Sequence, residues 1–233
     1  MSKVAVVTGA SQGIGAATVA AYRKLGWTVV ANSRQINPSG DPGVLAVQGD
    51  IADPAVGARL IEAGLAEFGR IDTLVNNAGI FIAKPFTDYT AEDFDAATGI
   101  NLRGFVTVTQ HAVAAMLKGG GGHVVTITTS LTDHANSTLP SAFASLTKGG
   151  LNAATKALAI EYATRGIRFN AVSPGVIRTP MHPAETHDFL AALHPVGRLG
   201  EMDEVTDAIV YLENAAFVTG EILHVDGGQS AGH

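Results

Sequence analysis

The stretch Val4-Ala5-Val6-Val7-Thr8-Gly9-Ala10-Ser11-Gln12-Gly13-Ile14-Gly15 places a buried strand, a glycine-rich turn and the start of a helix in direct succession. Glycines permit a tight turn and close approach of the backbone to a phosphate, and the free N–H groups at a helix N-terminus attract negative charge. The spacing G-x-x-x-G-x-G alone is a weak signal, and its alternative interpretation is a sharp turn with tight helix–sheet packing. The order strand, glycines, helix favours a dinucleotide-binding turn.

Outward from this turn, short β-branched apolar runs alternate with longer amphipathic stretches. The predicted strands are Val4–Val7, Thr28–Ala31, Val44–Val47, Thr73–Val75, Val124–Ile127, Arg168–Val172 and Ile222–Val225. The predicted helices are Ile14–Leu25, Pro54–Phe68, Ala91–Leu117, Ser141–Thr164 and Asp203–Leu212. Strands that are apolar on both faces and alternate with helices predict an α/β fold. We expect a single domain over residues 1–233, with a Rossmann-type doubly wound parallel sheet of about seven strands and three helices on each face.

One irregular segment interrupts this alternation. Pro174–Gly200 carries four prolines and three histidines and follows the end of a predicted strand. Ligands bind beyond the carboxyl ends of strands in open α/β sheets, so residues 176–200 are predicted to form a substrate lid. The gaps between His182, His187 and His194 match no zinc-binding pattern, and we expect no metal site.

Composition narrows the classes of function. The net charge is −6 with acids and bases interspersed, which argues against a nucleic-acid partner. The chain has no cysteine, so disulfides and thiolate catalysis are excluded. No apolar run is long enough to span a bilayer, and the N-terminal residues lack the pattern of a signal peptide. We therefore expect a cytoplasmic protein that does not bind membranes.

Several motifs taken together resemble the short-chain dehydrogenase/reductase family. Thr8–Gly15 is similar to the cofactor fingerprint of that family, and Asn76-Asn77-Ala78-Gly79 to its second signature. Asp50, Asn101, Lys148 and Pro174–Thr179 fall where the family places further functional residues, and the resemblance covers essentially the whole chain. It implies the following cofactor-binding residues: Gly9, Ser11, Gln12, Gly13, Ile14, Gly15, Ser33, Arg34, Asp50, Ile51, Asn77, Ala78, Gly79, Lys148, Pro174, Gly175, Ile177 and Thr179.

The end of the second strand indicates which nicotinamide cofactor is bound. An acid at this point would bind the ribose hydroxyls of NAD and repel a 2′-phosphate, but the chain has Ser33 followed by Arg34. A guanidinium can hold a phosphate through several donors at once, which favours NADP(H) over NAD(H). The alternative is that Arg34 is an ordinary solvated arginine, and Asp41 lies nearby in an unassigned loop.

By resemblance, the reaction moves a hydride between nicotinamide and a carbonyl carbon. Family members donate the proton from a tyrosine one helical turn before a lysine, and this chain has Ala144 four residues before Lys148. The resemblance implies catalytic roles for Lys148, for Asn101 and for a hydroxyl at a strand end, which we assign to Ser130, with Thr129 as the alternative. General acid catalysis is worth about 10²–10⁴ in rate, so the missing phenol matters.

Two functions remain open at this point. The first is an NADP(H)-dependent oxidoreductase that acts on a small or medium carbonyl or alcohol, with the proton relayed by water on Ser130, Lys148 or Ser141, or donated by His134. The second is a catalytically degenerate NADP(H)-binding regulatory or scaffold protein. The two longest predicted helices resemble those that build tetramers in the family, so we expect a homotetramer or a homodimer. The side chains proposed to line an apolar substrate pocket are Leu139, Phe143, Met181, Phe189 and Leu193.

Overall fold

The computed structural model describes residues 2–232 and confirms the predicted fold class. Seven parallel strands form one sheet in the order β3-β2-β1-β4-β5-β6-β7. The strands are β1 Val4–Thr8, β2 Thr28–Ser33, β3 Val44–Gln48, β4 Thr73–Asn76, β5 Gly122–Ile127, β6 Ile167–Pro174 and β7 Ile222–Val225. The order reverses between β1 and β4, and this switch point opens a crevice at the carboxyl ends of the strands.

The helices follow the strands as the amphipathic pattern indicated. They are α1 Gly13–Lys24, α2 Pro54–Phe68, α3 Ala91–Ala97, α4 Gly104–Gly119, α5 Ala142–Tyr162, α6 His187–Ala191 and α7 Met202–Asn214. The prediction for α2 is correct at both ends because local signals define it. The Asp53 side chain accepts a hydrogen bond from Ala55 N, proline occupies the first turn, and Gly69 ends the helix at a φ of 79°.

The predicted continuous helix Ala91–Leu117 is wrong in its middle. A π-helical segment, Thr98–Arg103, separates α3 from α4. It carries Asn101, whose side chain bonds the backbone of Ile80, and π segments commonly occur where a helix presents a functional side chain. Apolar periodicity reports which face of a helix is buried, but it does not reveal one wider turn.

Helices cover both faces of the sheet, although not equally. One face packs against α2, α4 and α5 through an apolar core that includes Leu60, Val108 and Ala159. The other face packs against α1 and α7, through residues such as Tyr22 and Ile209. The expectation of three helices on each face is therefore wrong for the second face within residues 2–232. The short helix α6 instead packs in a separate apolar cluster of Leu190, Leu193 and Leu199 with Leu139 and Val176.

No helix in the described part of the chain combines the length and apolarity needed to cross a membrane.

Candidate active site

A cavity of about 670 Å³ opens at the carboxyl ends of the strands. The glycine-rich turn and the ends of β2, β3, β4, β5 and β6 contribute to its wall. Ten residues of the predicted lid segment, from Val176 to Leu190, also line it. The structure brings every predicted cofactor-binding residue except Gly15 to this one cavity.

The glycine-rich turn forms a backbone cradle at the end of β1. Gly9 and Gly13 have φ values of 66° and 57°, which side chains of L residues rarely adopt. A Cβ at Gly9 would also lie 2.9 Å from the Ala78 Cα. The Asn77 side chain braces the turn, since its Nδ2 donates to the carbonyl oxygens of Thr8 and Gly9 at 2.9 Å and 3.2 Å. Two sequence motifs 68 residues apart thus build one cradle, the glycine cradle, in which Ser11 and Gln12 are exposed.

Gly15 has a different role from the one expected. It is buried and does not line the cavity, and a Cβ there would collide with the carbonyl oxygen of Gly9. Its small size lets α1 pack closely against the turn, so it shapes the cradle rather than contacting what binds there.

The end of β2 presents a cation to the cavity. Ser33 Oγ lies 2.9 Å from Ser11 Oγ, which ties β2 to the glycine-rich turn. Arg34 is exposed, lines the cavity, and its guanidinium makes no hydrogen bond or ion pair to any residue from 2 to 232. Asp41 is bound to Arg23 at 2.8 Å and 3.0 Å, and this contact holds the pKa of Asp41 below its usual value. Arg34 is therefore not neutralised by the acid nearest to it in sequence.

Lys148 projects from α5 to the floor of the cavity. Its Nζ donates to the Thr128 carbonyl oxygen at 3.0 Å, at the end of β5. Burial lowers the pKa of Lys148 to about 8, because the ammonium loses water and has no carboxylate partner. A cation with this low a pKa can bind hydroxyl groups and exchange protons near neutral pH.

Asn101 lies behind the cavity rather than on its wall. Its Oδ1 accepts a hydrogen bond from Ile80 N at 2.9 Å, and its Nδ2 donates to Ile80 O and to Thr147 Oγ1, both at 3.1 Å. With Lys148 it lines a second cavity of about 10 Å³, the space of a single water.

Ser130 does not face the cavity as expected. It is fully buried, and its hydroxyl donates to Gln229 Oε1 at 2.7 Å. The neighbouring residue, Thr129, lines the cavity instead. Successive side chains after β5 point in alternate directions. A register error of one residue therefore exchanges the residue that lines the cavity, Thr129, with the one that is buried, Ser130.

The position one turn before Lys148 holds a buried alanine, Ala144. Its neighbour Phe143 stacks on Tyr89 at 3.9 Å between ring centroids, so it does not line the cavity as predicted. Leu139, Met181 and Phe189 do line it, whereas Leu193 belongs to the apolar cluster around α6. Of the four tyrosines, all within the described range, none reaches the cavity wall.

Ser141 and His134, the other residues considered for proton relay, are not among the side chains that line this cavity.

Two further residues with polar side chains line the cavity, although the sequence analysis assigned neither of them a role in the reaction. His182 lies on the segment after β6, and Gln229 lies on the loop after β7. Gln229 Nε2 is buried without a hydrogen-bond partner in the described structure. A sequence signal existed for His182 alone, because it lies in the predicted lid.

No group of three or more His, Cys, Asp or Glu residues between positions 2 and 232 is arranged to hold a metal ion.

The doubly wound sheet, the glycine cradle and the buried lysine beside one cavity define a Rossmann-type oxidoreductase. The chain belongs to the short-chain dehydrogenase/reductase family: the family profile described as enoyl-(acyl carrier protein) reductase matches residues 9–230.

Curated relatives of the same family match over nearly their whole length. An uncharacterised oxidoreductase of Methylorubrum extorquens is 38% identical, with 97% of each chain covered. Cis-4-hydroxycyclohexanecarboxylate dehydrogenase of Sinomonas cyclohexanicum is 37% identical, with 98% of this chain and 97% of the relative covered.

Solved structures agree with the fold. The structure described as ElxO with NADP bound superposes with a TM-score of 0.93 at 29% identity, covering 100% of both chains. The 3-ketoacyl-(acyl-carrier-protein) reductase of Brucella melitensis in complex with NADH superposes with a TM-score of 0.91 at 32% identity, covering 98% of both chains.

Proposed function

We propose that this protein is an NADP(H)-dependent oxidoreductase that interconverts a small or medium carbonyl compound and its alcohol. The observation that carries the proposal is the meeting of the glycine cradle and Lys148 in one cavity. The cradle offers backbone amides to a pyrophosphate. By its resemblance to the family, we assign the nicotinamide ribose to Lys148.

The preference for NADP(H) rests on Arg34. Its guanidinium faces the cavity without a protein partner, Ser33 beside it carries no charge, and Asp41 is occupied by Arg23. A free guanidinium suits a 2′-phosphate, whereas the acid that usually binds the ribose hydroxyls of NAD is absent. The NADP bound by one similar structure supports this assignment, although another similar structure binds NADH.

The residues of the cavity fit a nicotinamide cofactor, which when bound supplies the hydride for the carbonyl carbon. Lys148 holds the ribose hydroxyls and adds positive charge near the developing alkoxide. Thr129, rather than Ser130, orients the substrate oxygen, because Thr129 lines the cavity and its hydroxyl, which accepts a hydrogen bond from Leu131 N, still has a proton to donate. Asn101 fixes the Ile80 backbone and positions a water beside Lys148. Residues 176–200 act as the lid that closes over the substrate.

Ala144 favours a second candidate, a regulatory or scaffold protein that binds NADP(H) without turnover. The two functions share the cofactor and differ in chemistry. An assay of NADPH oxidation with a panel of ketones, diketones and 3-oxoesters separates them. We expect turnover with at least one class of carbonyl, and NADPH binding without any turnover would support the scaffold function.

We also propose that the protein works in the cytoplasm as a homotetramer or homodimer built through α4 and α5. Apolar side chains on these helices remain exposed in the single chain, among them Val106 on α4, and Leu146 and Ile160 on α5 at 61% and 79%. Exposed apolar patches of this kind commonly mark interfaces. Light scattering that gives the mass of a monomer at micromolar concentration would contradict the oligomer.

A further inference from the structure

The proposed reduction needs a proton donor beside the substrate oxygen, and no tyrosine supplies one here. Among the described residues that line the cavity, four have side chains that ionise: Arg34, Asp50, Lys148 and His182. Arg34 and Asp50 follow β2 and β3, in the half of the sheet beside the glycine cradle. Lys148 and His182 belong to the other half, where the apolar wall of Leu139, Met181 and Phe189 also lies.

The backbone of His182 is held in place while its ring is left unbonded. His182 N donates to Thr179 O at 3.0 Å. His182 O lies 3.0 Å from His187 Nε2, and His187 Nδ1 lies 2.9 Å from Arg178 Nη1. Arginine only donates, so His187 Nδ1 accepts and its Nε2 carries the proton that is donated to His182 O. The His182 imidazole itself has no hydrogen-bond partner between residues 2 and 232, and it faces the cavity half-buried.

We propose that His182 is the proton donor in carbonyl reduction and the proton acceptor in alcohol oxidation, the task that the missing tyrosine would perform. This inference rests on the proposed function. In reduction the hydride adds to the carbonyl carbon, the π electron pair moves to the oxygen, and the oxygen takes the proton of the His182 imidazolium. The neutral imidazole then regains a proton from water, so the step balances without a further reactant.

The surroundings of His182 set the pH at which each direction is favoured. Burial, followed by the nearby His187, lowers the pKa of His182 below its usual value of 6.5. His187 accepts a hydrogen bond from Arg178, whose charge is balanced by an ion pair with Glu201 at 2.9 Å, and the other cation that lines this half of the cavity is Lys148. The imidazole is therefore neutral at pH 7, ready to accept a proton from an alcohol. Reduction requires the protonated ring and is favoured as the pH falls.

The test compares His182→Gln with wild type over pH 5–9, using a carbonyl that the wild type reduces. For wild type we expect kcat/KM of reduction to fall about tenfold per pH unit above a break that lies below pH 6.5. The variant should lose that break and about 10²-fold or more of the rate, while its Kd for NADPH stays within about twofold. His111→Gln is the matched control, since His111 is exposed on α4, away from the cavity, and its profile should equal that of wild type.

Titration of the imidazole by NMR gives a readout that does not depend on turnover. With labelled histidine, the signal lost in His182→Gln should titrate below 6.5 and shift when NADP⁺ binds.

The pH profiles of kcat/KM decide between His182 and Lys148. A wild-type profile that breaks only near pH 8, or a break that survives in His182→Gln, would identify Lys148 as the donor and overturn the proposal. Full retention of rate by the variant would overturn it as well. Failure to reduce any carbonyl would refute the proposed function, and this inference with it, whereas turnover without dependence on His182 would refute this inference alone.

Discussion

Polar side chains at the two ends of the sheet differ in whether they have hydrogen-bond partners within the fold. At the amino end, the Glu213 carboxylate accepts three hydrogen bonds, from Tyr22, Thr73 and His123, at 2.8–3.1 Å. At the carboxyl end, Arg34, His182 and Gln229 face the cavity with guanidinium, imidazole and amide donors that have no partner in residues 2–232. A buried polar group with complete partners stabilises the fold, whereas the buried Gln229 amide without a partner leaves a donor for water or a ligand. The guanidinium of Arg34 and the imidazole of His182 are open to solvent and free to bind a ligand.

The closed network at the amino end can be assigned proton by proton. Asn170 Oδ1 accepts from Glu221 N at 3.0 Å, so its Nδ2 must donate to His123 Nε2, which is also 3.0 Å away. His123 therefore carries its proton on Nδ1 and donates it to Glu213. Although burial opposes its ionisation, the hydrogen bonds led by that of His123 hold the pKa of Glu213 below its usual value. Each of these donors and acceptors is satisfied within the fold.

Removal of the Glu213 carboxylate breaks this network. Glu213→Ala leaves three buried donors unpaired at about 1–3 kcal/mol each, and we expect the free energy of unfolding, measured by urea denaturation, to fall by at least about 3 kcal/mol. The Kd for NADPH should stay unchanged at temperatures where the variant is folded. Glu62→Ala is the control, because Glu62 is exposed on α2, and it should cost less than about 0.5 kcal/mol. A cost below 1 kcal/mol for Glu213→Ala would show that the network is dispensable.

At the carboxyl end of the sheet, substitution of Lys148 is expected to reduce turnover rather than stability. Lys148→Met removes a positive charge beside the reacting centre, and we expect kcat/KM to fall about 10²–10³-fold. The free energy of unfolding should not decrease, because the buried ammonium of Lys148 is costly to desolvate. Lys24→Met, at the exposed end of α1 and away from the cavity, is the control; it should leave kcat/KM unchanged and alter the free energy of unfolding by less than about 0.5 kcal/mol. Equal losses of rate in the two variants would remove Lys148 from the site.

Arg34 is expected to affect the choice of cofactor. Arg34→Ser removes charged hydrogen bonds to a phosphate worth about 1.5–3 kcal/mol, so the Kd for NADPH should rise about 10–100-fold. The Kd for NADH, which lacks that phosphate, should change by less than about threefold. Calorimetric titration of both cofactors measures the two shifts. An equal loss of affinity for NADPH and NADH would indicate that Arg34 supports the cavity wall rather than binding the 2′-phosphate.

The fold was predictable because its signals are local. Strand β1 and the turn after it lie within one stretch of twelve residues, and the cap at Asp53 and the glycine at position 69 define α2 by themselves. The residues that gather at the cavity were also predictable, since in a doubly wound sheet they follow strand ends. The direction of Ser130, the packing role of Gly15 and the π-helical segment were not, because each depends on contacts of a single residue or turn.

Hydrogen bonds between residues far apart in the chain could not be predicted from the sequence for the same reason. Glu213 and His123 are 90 residues apart, and nothing local to either residue indicates the other. The free ring of His182 becomes evident only when its neighbours are seen to bond one another and leave it unbonded.

The open end of the sheet is proposed to bind a nicotinamide dinucleotide phosphate, and calorimetric titration of the wild-type protein measures that binding. We predict one cofactor per chain, with NADPH bound at least about tenfold more tightly than NADH. Tighter binding of NADH would show that Arg34 does not bind a 2′-phosphate, and no heat with either cofactor would show that the cavity is not a dinucleotide site.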